Sequence, residues 1–67
     1  MEITFSKKFY DKKEIVKTME IFEKEKVGAF ELNEDADNYI VIGKNIGKED
    51  QAEVKDEFGN FLISLMR

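Results

Sequence analysis

The side chains that most often do chemistry are missing from this sequence: its 67 residues include neither His nor Cys. That removes the imidazole general base, the thiolate nucleophile and the usual ligands of zinc. Carboxylates, lysines, two tyrosines and the serines Ser6 and Ser64 remain, and none stands in a recognisable arrangement of nucleophile and base. The expectation is a protein that is not an enzyme, with no catalytic residues, no metal site and no cofactor.

Two short stretches imitate ligand sites and depart from them at the positions that matter. Gly43-Lys44-Asn45-Ile46-Gly47-Lys48 is similar to a phosphate-binding loop, but it has one residue too few between its glycines. Glu49 stands where a hydroxyl should reach Mg²⁺. A strand-to-helix turn using glycine for backbone freedom explains the stretch. Asn33, Asp35 and Asp37 have the spacing of the first calcium-loop ligands, yet Asn38 replaces the turn glycine and Lys44 the closing glutamate. A solvated hairpin turn accounts for them.

A third constellation is basic and aromatic. Lys7, Lys8, Lys12, Lys13 and Lys17 surround Phe9 and Tyr10, the composition of a platform for single-stranded nucleic acid. Lys7, Lys8, Tyr10, Lys12 and Lys13 are the candidate contacts for that alternative reading. Against it, Glu14 and Glu20 offset the lysines and no Arg is present in the stretch. The whole chain carries a formal net charge of −4, which disfavours nonspecific adhesion to nucleic acid or anionic lipid. The charge is uneven: the first part, to Gly28, has seven lysines against six carboxylates, and the rest has four cations against nine.

The elements that position these residues are marked by periodicity. Ile3 and Phe5 alternate with Glu2 and Thr4, which predicts a strand over residues 2–6. Asp11 and Glu14 have the spacing of a capping box, and Tyr10 and Ile15 that of a hydrophobic staple, so a helix starts after Asp11. Ile15, Met19 and Phe22 give it an apolar stripe, and Gly28 is expected to end it in a left-handed conformation, for a helix over 12–27. Residues 29–33 and 39–42 read as the two strands of a hairpin, joined by a loop of about four to five residues. Asp50 and Glu53 repeat the capping-box spacing before a second helix that runs to the end of the chain.

The order β-α-β-β-α predicts an α+β fold. The first two strands should be parallel through a right-handed crossover and the last two antiparallel, a three-stranded mixed sheet with both helices packed on one face. Expected core residues are Ile3, Phe5, Ile15, Met19, Phe22, Phe30, Leu32, Ile40, Ile42, Phe58, Leu62 and Leu65. No proline, repeat or linker-like tract interrupts the chain, so residues 1–67 read as one domain. No stretch approaches the ~18 apolar residues of a membrane span, and the start lacks a signal-peptide core, which points to a cytoplasmic protein.

On this framework the second helix carries too much apolar surface. Val54, Phe58, Phe61, Leu62 and Leu65 occupy one arc, and Ala52, Gly59, Ile63 and Met66 a neighbouring one, separated by little more than Lys55. Either the first helix covers that second arc or another subunit does. If Ile40 and Ile42 face the helices, Tyr39 and Val41 point outward and leave a partly apolar, uncovered sheet face. A chain this short, without disulfide or metal, commonly gains stability from oligomerisation. Ala52, Gly59, Ile63, Met66, Tyr39 and Val41 are therefore the candidate residues for contact with a partner, a second copy of the chain or another protein.

The element order, the opening ITFSKKFYDKKEIVKTMEIF, the strand pair FELNEDADNYIVI and the ending EFGNFLISLMR resemble HxsD-like proteins. These are small accessory proteins of the His-Xaa-Ser peptide-modification system, encoded beside radical-SAM enzymes. Phe58, Asn60 and Leu62 match the family's F-x-N-x-L stretch, while Ile63 to Arg67 differ from its usual ending. The resemblance implies a non-catalytic accessory role among other proteins.

Overall fold

Alternating apolar and polar residues build the first strand, β1, at Glu2–Ser6, with Ile3 and Phe5 buried and Glu2 and Thr4 exposed. The computed structural model describes residues 1–67. After a turn over Lys7–Phe9, helix α1 spans Lys12–Lys24, β2 spans Ala29–Glu34, β3 spans Asn38–Lys44 and helix α2 spans Gln51–Leu65, preceded by one 3₁₀ turn at Lys48–Asp50. The order is the expected β-α-β-β-α, an α+β fold.

The sheet order is β1-β3-β2, and β3 pairs antiparallel with both neighbours. The expected mixed sheet is therefore corrected to an antiparallel one. β1 and β2 do run in the same direction, but the hairpin folds β3 between them, so no parallel ladder forms. The stretch Tyr39-Ile40-Val41-Ile42 is apolar throughout, and with no alternation its sequence cannot say which residues point inward. Pairing decides: Val41 lies opposite Ile3 on one side and Leu32 on the other, and Tyr39 opposite Phe5. Directly opposed residues share a face, so Val41 joins Ile3 beneath the helices and is fully buried. Ile40 and Ile42, expected in the core, lie half-buried on the opposite face.

The core joins both helices to that inner face through Ile3, Phe5, Ile15, Phe22, Phe30, Val41, Val54, Phe58 and Leu62. Met19, Leu32 and Leu65, expected to be buried, are half-buried, Met19 and Leu32 packing against the margin of the core. Thr18 is also fully buried, and its hydroxyl donates to the Glu14 carbonyl at 2.8 Å, so a polar group is hidden in the helix without an unmet hydrogen bond.

Helix ends explain the remaining departures. Asp11 caps α1 in extended backbone, its carboxylate accepting from the Lys13 amide at 3.4 Å. The helix closes before Gly28: the Val27 amide donates to the Phe22 carbonyl and the Lys26 amide to the Glu23 carbonyl, both at 3.0 Å. That bond pair needs a left-handed residue between helix and exit, and Lys26 fills the role with φ 59°. Gly28 is required for another reason, since a Cβ there would stand 2.6 Å from Cγ1 of Ile46. At α2 the expected Asp50 cap is absent, because Asp50 is already helical (φ −97°, ψ −10°) within the 3₁₀ turn. A capping side chain reaches the first-turn amides from extended backbone, and Asp50 makes no such bond.

Candidate partner-binding surfaces

Side chains on α2 divide by the 100° step of the helix. Phe58 and Leu62 point into the core with no exposure. Phe61 turns towards α1, its ring centroid 6.0 Å from that of Phe22. Ala52, Gly59, Ile63 and Met66 fall on the flank away from α1. Ile63 is 41% and Met66 39% exposed, Ala52 is exposed and Gly59 half-buried. A Cβ built on Gly59 meets nothing within 4 Å. Of the two ways to cover this arc, packing of α1 over it is overturned: α1 lies against the other side of the helix.

The outer sheet face is also open, but its residues differ from those expected. Val41, assigned to a partner surface, is fully buried beneath the helices. Tyr39 is half-buried on the same inner side, where Lys7 Nζ sits 5.3 Å from its ring centroid. The uncovered face is centred instead on Ile40 and Ile42, paired with Thr4 and Asn33, and with Glu2 and Glu31, respectively. Its apolar centre is narrow and its margins are charged, with Lys44 reaching Glu31 at 3.4 Å.

The basic-aromatic segment is partly consumed by the fold. Glu34 receives Lys7 at 2.7 Å and Lys12 at 3.1 Å. The hydrogen bond from Lys7, followed by that from Lys12, holds the Glu34 carboxyl below the usual carboxylate range. The same bond to Glu34 raises Lys7 above the ordinary lysine value. Tyr10 packs against the core with its ring centroid 4.9 Å from that of Phe5. Lys8 and Lys13 stay exposed and make no ion pair, and Phe9 is 69% exposed, with Lys8 Nζ 5.9 Å from its ring centroid. The five candidate contacts thus split into three with structural partners and two without.

The carboxylates do not converge on a metal site. Asp35, read as a possible cation ligand, serves the hairpin turn: one of its oxygens accepts from the Asp37 and Asn38 amides, both at 2.8 Å, and these bonds lower its pKa. Asn33 lies within β2. In the phosphate-loop imitation, Gly43 belongs to β3, and only Asn45–Gly47 form loop before the 3₁₀ turn.

A surface that sequence reasoning missed lies between the two helices. Ile21, Phe22, Val27 and Phe61 line a groove of about 590 Å³, with Glu25, Glu57 and Asn60 at its rim. Asn60 of the F-x-N-x-L stretch is exposed on this groove, while Phe58 and Leu62 hold the core. The groove depends on the antiparallel seating of α2 against α1, which no local pattern specifies. Comparison of the chain with known protein families, with curated proteins and with solved structures returns no match. No helix is long and apolar enough to cross a membrane.

Proposed function

We propose that the chain is a non-catalytic interaction module that docks onto other protein surfaces, its own second copy included. The observation that carries this reading is the flank of α2, where Ile63 and Met66 are exposed beside a glycine with open space above it. Glycine costs about 1 kcal/mol relative to alanine inside a helix, and nothing within the monomer requires it at position 59. Close approach of a second helix would. If two copies of α2 cross antiparallel on a two-fold axis through Gly59, Met66 of each falls opposite Ala52 of the other. Large then meets small on both sides, the self-complementarity that a two-fold interface demands.

An accessory role in a peptide-modification system, as the HxsD-like resemblance implies, is one setting for such a module. The alternative, a nucleic-acid platform on the Lys7 to Lys17 segment, draws support from exposed Phe9 and unpaired Lys8 and Lys13. It is weakened by Glu34, which engages both Lys7 and Lys12 and offsets one of their two charges. Sedimentation equilibrium over a concentration series tests the leading reading: association at high micromolar concentration is expected, and a strictly monomeric chain would remove its main support.

A further inference from the structure

The groove between α1 and α2 has a definite chemistry. Its floor is apolar, with Phe22 and Phe61 meeting edge to face and Ile21 and Val27 beside them. Its rim is negative from both sides: Glu25 stands at the end of α1 and Glu57 on α2. The two carboxylates belong to different helices and lie at the mouth of one groove, yet neither has a cation within 4 Å, since the ion pairs of the chain join Lys7 and Lys12 to Glu34, and Lys44 to Glu31. Lys24 and Lys26 are near in sequence but exposed and paired with neither. Glu25 also caps the C-terminal end of α1, where the helix dipole adds partial negative charge.

We infer that this groove receives a cationic amphipathic segment of another protein, an apolar side chain lying on Phe22 and Phe61 while flanking Lys or Arg side chains pair with Glu25 and Glu57. An anionic or purely apolar occupant would leave two carboxylates facing like charge or desolvated without a partner, which is costly. The occupant is a different protein segment from the one the α2 flank invites, because the groove lies on the opposite side of α2. The inference rests on the reading of the chain as an interaction module and names the chemistry of one partner.

The test uses three fluorescein-labelled short peptides: one of lysine and leucine in amphipathic helical order, one with serine for each leucine, and one with glutamate for each lysine. Fluorescence anisotropy should show saturable one-to-one binding of the lysine–leucine peptide and binding at least about tenfold weaker for the other two. The double variant Glu25→Lys with Glu57→Lys should weaken the first peptide by about tenfold or more. Glu20→Lys with Glu49→Lys makes the same change in net charge at exposed sites away from the groove and should change binding by less than about twofold. Circular dichroism verifies that both variants stay folded. Equal losses in the two double variants, equal binding of the serine peptide, or no binding at all would each overturn the inference. Absence of peptide binding in a chain that still self-associates would discard the groove and leave the docking role standing; absence of both would discard both.

Discussion

Phe58 and Phe22 meet edge to face with ring centroids 5.2 Å apart, tying α2 to α1 over the middle of the sheet. Phe58 also lies 5.5 Å from Phe30 and 6.0 Å from Phe5, and it has no exposed surface. Phe58→Ala is expected to cost about 3–5 kcal/mol, most of the roughly 5 kcal/mol that so small a domain possesses. Chemical denaturation should show a largely unfolded variant. A parent-like transition would contradict the role of Phe58 as the centre of the core.

The cap of α1 has a smaller stake. Asp11 accepts one long, exposed bond from the Lys13 amide, 3.4 Å, so Asp11→Ala should cost about 0.5–1 kcal/mol, the low end for capping residues. Thermal melts of the two proteins side by side measure it. An unchanged midpoint would mean that water replaces the cap without loss.

Lys26 offers the opposite change. Its positive φ of 59° is disfavoured for any side chain by about 1–2 kcal/mol, and glycine is the usual residue at this point of a helix exit. Lys26→Gly should therefore stabilise the domain by about 1 kcal/mol, raising the melting midpoint by about 4–8 °C. Lys26→Ala keeps the strain and should leave the midpoint near that of the parent. If glycine gains nothing over alanine, the left-handed exit is not populated in solution.

The Lys7–Glu34 pair sets limits at both ends of the pH scale. Glu34 is lowered by its bonds to Lys7 and Lys12, and Asp35 by the Asp37 and Asn38 amides. Carboxyls with lowered folded values stabilise the protein above their unfolded values, about 4, and lose that contribution as pH falls through the folded values. Lys7, raised by Glu34, contributes below its unfolded value of about 10.4 and loses the contribution as pH rises through the folded one. A plateau between those limits is expected in melting midpoint against pH. Glu34→Gln should flatten part of the acid limb and the alkaline limb together, leaving the share due to Asp35. An unchanged acid limb would show that Glu34 is not paired.

What could be read from the sequence follows from what is local. The order of elements, the Asp11 cap and the inward faces of β1 and α1 come from spacing within a few residues, and the structure has them. β3 was illegible because four apolar residues in a row leave its facing to Ile3 and Leu32 on other strands. The end of α1 was misplaced because glycine is the common left-handed residue, whereas Gly28 answers to Ile46, a tertiary neighbour. For the surfaces, the surplus on α2 was visible as a second arc, since helical spacing alone exposes it. The acid-rimmed groove was not, because it belongs to two helices at once.

That second arc supports the sharpest test. Gly59 has open space around the position of a Cβ, so nothing in the monomer opposes a side chain branching from it, and with Gly59→Leu the helix gains most of the ~1 kcal/mol that glycine costs. In a pair of α2 helices crossing at Gly59, the same leucine holds the backbones apart. The variant should therefore become more stable as a monomer and at the same time shift sedimentation equilibrium from dimer towards monomer. Ile63→Lys, which puts charge on an exposed part of the same flank, should weaken association with little effect on circular dichroism. If both variants sediment as the parent does while the parent self-associates, the contact lies elsewhere, and the outer sheet face around Ile40 and Ile42 is the next surface to alter.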